Sequence, residues 1–241
     1  MKLAVISDIH GNLEALQAVL ADMDRLGLAQ IVSLGDNIGY GPDPEAVMEC
    51  LRTRDILSIM GNHELALIDS KSLDLFNPLA RDSLLQTKAL LSEKSLGAIP
   101  KLPLSMTLAG CLLVHGVPPS DVNTYLFDLS FAQLQRIMQS MEKDICMVGH
   151  THELALLTYS QGKLHVDPLK MGVHSVEEDT KVMVNVGSVG QPRDENNQAK
   201  YVIWDTESRT LEVRFVPYDI QKTVEKILAF GFPKINADRL W

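Results

Sequence analysis

The sequence is poor in cysteine, in basic residues and in long apolar runs. Cys50, Cys111 and Cys146 are its only cysteines and none has Cys-x-x-Cys spacing, so reduced, buried thiols are expected rather than a disulfide framework. Lys and Arg number 22 against 31 Asp and Glu, and the net charge of −9 argues against a surface for long nucleic acid or an anionic membrane. No apolar run approaches the ~20 residues that span a bilayer, and no signal-peptide pattern is present. We therefore expect a cytoplasmic protein.

Apolar residues make up 46% of the 241-residue chain, which is ample for a core, and the length fits a single domain over 1–241. In the N-terminal half, short apolar runs alternate with helical patterns, as in βαβ units. In the C-terminal half, hairpins are indicated around Ala109-Gly110 and Gln161-Gly162. This order predicts an α/β (α+β) four-layer sandwich, in which two mixed sheets pack face to face with helices on their outer faces.

The individual elements follow from apolar periodicity. Strands are predicted at 2–7, 31–34, 56–60, 105–108, 111–115, 145–148, 154–159, 163–166, 182–186, 201–205 and 211–216. Helices are predicted from Asn12 to Gly27 and at 44–52, 130–140 and 219–230, with a tail to 241. The segment 69–95 is predicted to be helical and to form a wall or cap over the site. His165 is placed in a strand and His174 in a loop.

Polar side chains of few types follow the predicted strands. They are Asp8 and His10, Asp36, Asn62 and His63, His115, and His150 and His152. Taken singly, each group is an ordinary capped loop or strand-ending turn. Together they supply carboxylate, amide and imidazole donors without thiolate, which suits Mn, Fe, Co or Zn better than Ca or Mg. The donors exceed the needs of one ion, so a dinuclear metal site is predicted.

The motifs that carry these residues resemble those of the calcineurin-like metallophosphoesterases. The five matching motifs, in order, are Asp8-Ile9-His10, Gly35-Asp36, Gly61-Asn62-His63-Glu64, Val114-His115-Gly116 and Gly149-His150-Thr151-His152. The stretches 39–44 and 187–193 resemble the small YfcE-like and diadenosine-tetraphosphatase-like prokaryotic members, although Val186 stands where proline is frequent. The resemblance implies the metallophosphoesterase fold over roughly residues 1–217.

The resemblance also implies a role for each motif residue. One metal ion would be held by Asp8, His10 and His152, and the second by Asn62, His115 and His150. Asp36 would bridge the two ions, and His63 would donate a proton to the leaving group or hold the phosphate. The expected cofactors are two divalent transition-metal ions, Mn first and Fe, Zn, Co or Ni as alternatives.

The expected reaction is hydrolysis of a small phosphomonoester, a phosphodiester or a dinucleoside polyphosphate by a hydroxide held between the metal ions. A phosphoserine or phosphothreonine protein is an alternative substrate, and an inactive interaction scaffold is an alternative function. Arg193 is a candidate contact for a distal phosphate or else forms an ion pair with Asp194 or Glu195. Ser188 is a candidate substrate contact or else a turn residue. Tyr40 and Tyr125 are candidates for stacking on a nucleobase or else are residues at the edge of the core. The oligomeric state is left open, with a homo-oligomer possible.

Overall fold

The computed structural model describes residues 1–194 and 196–241, and the elements below lie in those ranges. The strands are β1 (Lys2–Ile6), β2 (Gln30–Ser33), β3 (Leu57–Ser58), β4 (Ser105–Leu108), β5 (Cys111–Val114), β6 (Ile145–Val148), β7 (Leu154–Ser160), β8 (Lys163–Pro168), β9 (Gly172–Ser175), β10 (Lys181–Val186), β11 (Ala199–Asp205) and β12 (Thr210–Val216). The helices are α1 (Leu13–Arg25), α2 (Pro44–Thr53), α3 (Asn62–Ile68), α4 (Ser70–Leu73), α5 (Pro78–Leu90), α6 (Glu93–Ala98), α7 (Phe131–Ser140), α8 (Ile220–Ala229) and α9 (Lys234–Asp238).

The strands form two six-stranded sheets of mixed direction. Sheet I has the order β3-β2-β1-β11-β12-β9, and sheet II has the order β4-β5-β6-β10-β7-β8. In sheet I, β1 pairs in parallel with β2 and in antiparallel with β11. In sheet II, β6 pairs in parallel with both β5 and β10. The parallel strands of each sheet therefore end at a common edge.

The alternation of side chains along β1 explains the layers. Leu3 and Val5 belong to a fully buried core that also takes side chains from sheet II, while Ala4 and Ile6 pack in a second core with α1 and α2. A third core joins the outer face of sheet II to α7. The order of layers is helices, sheet I, sheet II, helix, and the prediction of a four-layer α/β sandwich is confirmed.

The two predicted hairpin turns are present, with the central residues Ala109, Gly110, Gln161 and Gly162 all at positive φ, as tight hairpin turns require. Asn12 caps α1 as predicted, because its side chain accepts a hydrogen bond from the Ala15 N–H.

Three predictions about elements are wrong. The strand expected at 56–60 is limited to β3, since the chain leaves the sheet edge when the Met60 N–H bonds to the Pro103 carbonyl. His174 lies in β9, not in a loop, because that short segment pairs with β12. The helix 219–230 is not the last one, since α9 follows it.

The segment 69–95 holds α4, α5 and the start of α6, so it is helical as predicted, and its role as a wall or cap over the site stays a prediction. Its apolar side chains form a separate core with α3 and the loop after β2, through residues such as Ile38, Ala66 and Leu84. Among the described residues, no helix has both the length and the apolar character that a membrane-crossing segment needs.

Candidate metal centre

The loops that follow five strands meet at one edge of the sandwich. Asp8, Asp36 and Asn62 follow β1, β2 and β3 of sheet I, whereas His115 follows β5 and His150 follows β6 of sheet II. All five side chains are buried, and Asn62 is the most exposed of them at 8%. The chemistry-bearing residues predicted from the motifs are therefore collected between the two sheets.

Asp8, His10 and His152 form a first cluster. The Nε2 atoms of His10 and His152 are 3.0 Å apart, and Asp8 Oδ1 lies 3.3 Å from His152 Nε2. One ligand atom from each residue lies within 4.8 Å of the others, which is close enough for three atoms to share one ion. This is the set that the resemblance assigns to one metal.

Asp36, His115 and His150 form a second cluster of the same compactness. His115 Nε2 lies 3.3 Å from Asp36 Oδ2 and 3.1 Å from Asn62 Oδ1. Asp36 Oδ2 is also 3.7 Å from His10 Nε2 in the first cluster. The Asp36 carboxylate thus stands between the two clusters.

Hydrogen bonds to the far ring nitrogens orient the histidines. Backbone carbonyl oxygens lie within 3.0 Å of Nδ1 of three histidines, at Ile38 for His10, Leu34 for His115 and Gln191 for His152. A carbonyl only accepts, so Nδ1 carries the proton, and in the neutral form of each ring Nε2 presents a lone pair to the cluster. His150 is the reverse case, because its Nε2 bonds to the Asn123 carbonyl at 3.0 Å and Nδ1 is left for the cluster.

The donor set fits divalent transition-metal ions better than a hydrogen-bond network. The facing Nε2 atoms of His10 and His152 both present lone pairs, an arrangement that repels unless a cation lies beside it. Within the described residues, Asp8 Oδ1 and His63 Nδ1 are buried without a hydrogen-bond partner. A buried carboxylate oxygen without a partner is costly, and a metal ion bound there would satisfy it.

The carboxylates and histidines shift one another's ionisation. Burial raises the pKa of Asp8 to about 6. Burial also raises the pKa of Asp36, but the neighbouring His115 charge outweighs it and brings that pKa well below its usual range. Burial lowers the pKa of His115, yet the Asp36 charge raises it to about 9. Without a metal ion, protonated His115 is the cation that stabilises Asp36.

The backbone of this region is unusual at the ligand positions themselves. Five residues of the two clusters have φ between 50° and 69°, namely Asp8, His10, Asp36, His150 and His152. Residues with a Cβ rarely adopt this left-handed backbone conformation, and those that do are concentrated at functional sites. Gly35 has φ of +96°, and a Cβ there would lie 2.3 Å from the Gly61 nitrogen. The motif glycine therefore allows the loops of Asp36 and Asn62 to touch.

Glu64 is a positioning residue to which the sequence analysis gave no role of its own. Its fully buried carboxylate accepts hydrogen bonds from the N–H groups of Asp36 and Asn37, both at 2.8 Å, and of Gly61 at 3.0 Å. It thereby ties the loop after β2 to the start of α3, which carries Asn62. Its position as the fourth residue of the motif was the available signal.

The residues predicted as candidate substrate contacts have distinct surroundings. The Ser188 hydroxyl donates to the Asp8 carbonyl and accepts from the Gln191 N–H, both at 2.8 Å, which fits the turn alternative. The Tyr40 ring packs 4.7 Å from both His10 and His63 between ring centroids. Tyr125 stacks on His150 at 3.9 Å, almost parallel. Both tyrosines therefore border the clusters.

Arg193 is exposed and follows a loop that contacts the first cluster. Its Nη2 lies 3.5 Å from Gln191 Oε1, and its charge helps burial to lower the pKa of His152. Asp194 pairs instead with Lys200 at 2.7 Å. A pairing of Arg193 with Glu195 lies outside the described residues. His165 and His174 belong to neither metal-ligand cluster.

The chain belongs to the calcineurin-like phosphoesterase superfamily, whose domain description matches residues 1–209. An uncharacterized protein of Methanocaldococcus jannaschii is 36% identical, over 99% of this chain and 97% of that protein. The crystal structure of a metallophosphoesterase from Sphaerobacter thermophilus is 33% identical, covers 100% of this chain and 98% of its own, and has a TM-score of 0.83. A hypothetical protein of Pyrococcus horikoshii shares the fold at 20% identity, with coverage of 100% and 97% and a TM-score of 0.82. The family and fold expected from the motifs are confirmed.

Proposed function

We propose that this protein is a dinuclear, metal-dependent phosphoesterase that hydrolyses small phosphorylated substrates. The observation that carries the proposal is the placement of Asp36 between two compact ligand clusters. The similarity to the Sphaerobacter metallophosphoesterase supports the reaction class. Asp8, His10 and His152 would hold one ion, Asn62, His115 and His150 the other, with Asp36 shared.

Bound ions would supply Lewis acidity toward phosphoryl oxygens and a source of hydroxide at neutral pH, with Mn²⁺ as our first choice and Fe, Zn, Co or Ni as alternatives. In the hydrolysis, the oxygen of water bonds to phosphorus and the ester P–O bond breaks. The leaving oxygen takes a proton. The chain's own contribution is to hold the seven ligands rigidly and to exclude bulk water, since these side chains are almost fully buried.

His63 is the residue placed to act on the leaving group. Its Nε2 lies 3.9 Å from Asp36 Oδ2, and one ligand atom each of His63, His10 and Asp36 lies within 4.8 Å of the others, so the ring borders both clusters. Its backbone N–H donates to Asp36 Oδ1 at 2.9 Å, which fixes the start of α3 against the centre. Burial lowers the pKa of His63 to about 4, and a phosphate dianion beside it would raise that value. We therefore assign His63 to proton donation or to holding the phosphate.

A small substrate fits the charge of the protein better than a polymer. The net charge of −9 disfavours long nucleic acid, whereas a single phosphate needs only local positive charge. Arg193 is the nearby side chain that could contact a distal phosphate of a dinucleoside polyphosphate. We propose that the protein acts in the cytoplasm and without a membrane or nucleic-acid partner.

The experiment that tests the class is a hydrolysis assay of the metal-stripped protein reloaded with Mn²⁺, Fe²⁺, Zn²⁺, Co²⁺ or Ni²⁺. The panel contains phosphomonoesters, phosphodiesters, dinucleoside tetraphosphates and phosphopeptides. Metal-dependent release of phosphate or nucleotide is expected, with about two ions bound per chain. Absence of hydrolysis with every metal would favour the inactive scaffold.

Replacement of His63 by alanine tests whether this residue acts as a general acid or as a metal ligand. His63→Ala is expected to lower kcat by about 10²- to 10⁴-fold, the usual contribution of a general acid. Metal content, measured by elemental analysis of the purified variant, should stay at the wild-type value. Wild-type kcat in this variant would remove His63 from the mechanism, and loss of metal would make it a ligand instead. His165→Ala, in exposed β8, is the matched control.

A further inference from the structure

The strand β10 carries a buried amide within an otherwise apolar run. Asn185 has no exposed surface, and its neighbours Val184 and Val186 are buried to the same extent. The strand lies between β6 and β7, so its backbone is held from both sides. An amide side chain disfavours a central strand and is costly to bury, so we expect its hydrogen bonds to serve a purpose.

Both N–H groups and the oxygen of the Asn185 amide make hydrogen bonds. Nδ2 donates to the Gly149 carbonyl and to Thr151 Oγ1, both at 2.8 Å. Oδ1 accepts from the Gly187 N–H at 3.1 Å. A carbonyl only accepts and a backbone N–H only donates, so these partners also fix the orientation of the amide. The side chain therefore ties β10 to the loop 149–152.

The loop 149–152 supplies one histidine to each ligand cluster. His152 belongs to the first cluster and His150 to the second. Among the described residues, only two side chains from outside the loop hydrogen-bond to its backbone. They are Asp8, which is itself a predicted ligand, and Asn185. Asn185 thus holds a segment on which both clusters depend, without belonging to either.

A second connection runs from the same amide to the ring of His152. The Gly187 N–H, which Asn185 accepts, begins the segment 187–191. At the end of that segment, the Gln191 carbonyl accepts a hydrogen bond from His152 Nδ1 at 2.6 Å. The backbone before His152 and the partner of its ring are therefore both connected to one side chain of β10.

A cavity of about 280 Å³ lies behind the loop, between sheet II and α7. Thr151 and Asn185 are among its lining residues, together with apolar side chains such as Leu134 and Leu157. Unfilled space offers no packing contacts that would resist a displacement. Without the Asn185 hydrogen bonds, the loop would therefore have room to shift away from the metal centre.

We propose that Asn185 is a positioning residue of the metal centre, which sets the geometry of His150 for one ion and of His152 for the other. The proposal rests on the dinuclear centre proposed above and adds a residue that contacts neither ion. Residues that orient metal ligands from outside typically contribute about 10- to 100-fold to metal affinity. Loss of the Asn185 amide should therefore weaken the binding of both ions together.

The test replaces Asn185 by leucine, which has a similar size and no hydrogen-bonding group. Metal-stripped protein is titrated with Mn²⁺ by isothermal titration calorimetry, and the visible absorption of the Co²⁺-loaded protein reports the ligand geometry. For Asn185→Leu, we expect both dissociation constants to rise by at least about tenfold and the Co²⁺ bands to change. A role in folding alone would move neither quantity.

Tyr201→Phe is the matched control for a loss of stability. It removes a buried hydroxyl that donates to Asp22 at 2.7 Å, in the core between sheet I and α1. This variant should be less stable than the wild type but should keep both dissociation constants and the Co²⁺ spectrum.

Thr151→Val decides the matter if Asn185→Leu does not fold. It keeps the shape of the side chain and removes one acceptor of the Asn185 amide, so both dissociation constants should rise by about threefold or more, the worth of one hydrogen bond. Wild-type dissociation constants in folded Asn185→Leu, or in Thr151→Val where it replaces that variant, overturn the proposal. Weaker binding of one ion alone also overturns it.

Hydrolysis by the wild-type protein separates this proposal from the proposed function. Two bound Mn²⁺ ions without hydrolysis of any ester contradict the phosphoesterase function, while weaker binding in Asn185→Leu still supports the positioning role. Hydrolysis by the wild type together with unchanged metal binding in the variants contradicts the positioning role alone. A wild-type protein that binds neither Mn²⁺ nor Co²⁺ contradicts both.

Discussion

The left-handed backbone at Asp8, His10 and Asp36 shows how single residues are held for function. Each such residue costs roughly 1–3 kcal/mol and persists only where its surroundings enforce it. Here the enforcement is visible, because the N–H groups of Asp8 and His10 donate to the carbonyls of Gly35 and Asp36 at 3.1 and 2.9 Å. The loops after β1 and β2 thus fix each other, and the side chains gain a rigid starting point for metal binding.

Replacement of Asp36 by asparagine tests its position between the clusters. Asp36→Asn keeps the size and tolerates the left-handed backbone, but it removes the charge that would offset two cations. We expect loss of at least one ion per chain and a fall in kcat/KM of at least about 100-fold. Elemental analysis and steady-state kinetics measure both. Full rate with both ions retained would show that Asp36 does not bridge. Asp74→Asn, which changes an exposed carboxylate, is the control and should leave both values unaltered.

The residues predicted from the motifs and the residues missed differ in one physical respect. Asp8, Asp36 and His150 could be predicted as metal ligands because each has a suitable donor atom and follows a predicted strand. Glu64 and Asn37 act through contacts with each other, since the Asn37 N–H donates to Glu64 Oε1 at 2.8 Å. Asn37 also accepts a hydrogen bond from the Ser33 hydroxyl at 2.6 Å. Such contacts exist only after the loops meet, so local sequence does not reveal them.

The C-terminal helices connect to the loop around Tyr40, although they lie beyond the residues that match the family. On α8, Lys226 Nζ bonds to Glu14 on α1 at 2.6 Å and to Asp43 before α2 at 2.8 Å. On α9, Asn236 Nδ2 donates to the Tyr40 carbonyl at 3.0 Å and to the Ser83 hydroxyl at 2.9 Å. These helices therefore brace the loop that packs on His10 and His63. The sequence did not predict α9, because five residues are too few to show helical periodicity.

Removal of the Asn236 amide tests this bracing. Asn236→Ala leaves the buried Tyr40 carbonyl and Ser83 hydroxyl without their shared donor, so we expect a loss of about 1–3 kcal/mol in the free energy of unfolding. Urea unfolding followed by circular dichroism measures the change. Gln221→Ala, which removes an exposed amide from α8, should have no measurable effect. Equal stability of Asn236→Ala and the wild type would contradict the bracing role.

The contact between α1, β11 and β12 predicts a pH dependence. Asp22 accepts hydrogen bonds from the Tyr201 hydroxyl at 2.7 Å and from Arg214 Nη2 at 2.9 Å. Burial raises the pKa of Asp22, but the bonds from Arg214 and Tyr201 outweigh it, and the pKa lies below the ordinary value of 3.8. A depressed carboxyl pKa stabilises the fold above pH 3.8, and the effect is lost as pH falls through the folded-state pKa.

Asp22→Asn should therefore destabilise the protein near pH 7 by about 1–3 kcal/mol, because charged hydrogen bonds become neutral ones. The gap from the wild type should shrink steadily below pH 3.8. Denaturant titrations of both proteins at several pH values would show the convergence, and a gap that does not depend on pH would refute the assignment. Asp24→Asn, in the exposed pair with Arg54, should not change stability measurably.

For the molecule as a whole, the metal centre joins the two sheets. Asp8, Asp36 and Asn62 come from sheet I, while His115 and His150 come from sheet II. Any ion that binds all of them binds the folded arrangement and not the unfolded chain. Its binding free energy is therefore added to the stability of the fold.

Removal of metal should lower the melting temperature. At free metal 100 times the dissociation constant, the expected stabilisation is about 2.7 kcal/mol, which corresponds to about 5–10 °C for a protein of this size. Differential scanning calorimetry with Mn²⁺ and with excess chelator measures the shift. Asp36→Asn should show a smaller shift than the wild type. The same melting temperature with and without Mn²⁺ would mean that the centre does not bind it.

For the whole molecule, the two sheets and their helical layers could be predicted from the order of apolar runs, but only some of the strand neighbours could. β1 and β2 are consecutive and their parallel pairing follows from the βαβ pattern. The pairing of β9 with β12 joins a segment that has no apolar signal of its own, since Val173 is exposed. Only the edge of a finished sheet makes that segment a strand.

The central position of β1 also has a consequence for synthesis of the protein. Lys2 pairs with Asp205 and Val5 with Val202, so the first strand receives its second neighbour only when β11 has been made. At about 5–20 residues per second, the roughly 200 intervening residues occupy the ribosome for about 10–40 s. During that time the apolar run 3–6 is present without half of its backbone partners, and it is open to pairing with other chains. Recovery of folded protein should therefore respond to chaperone supply more strongly than the stability of the finished molecule suggests.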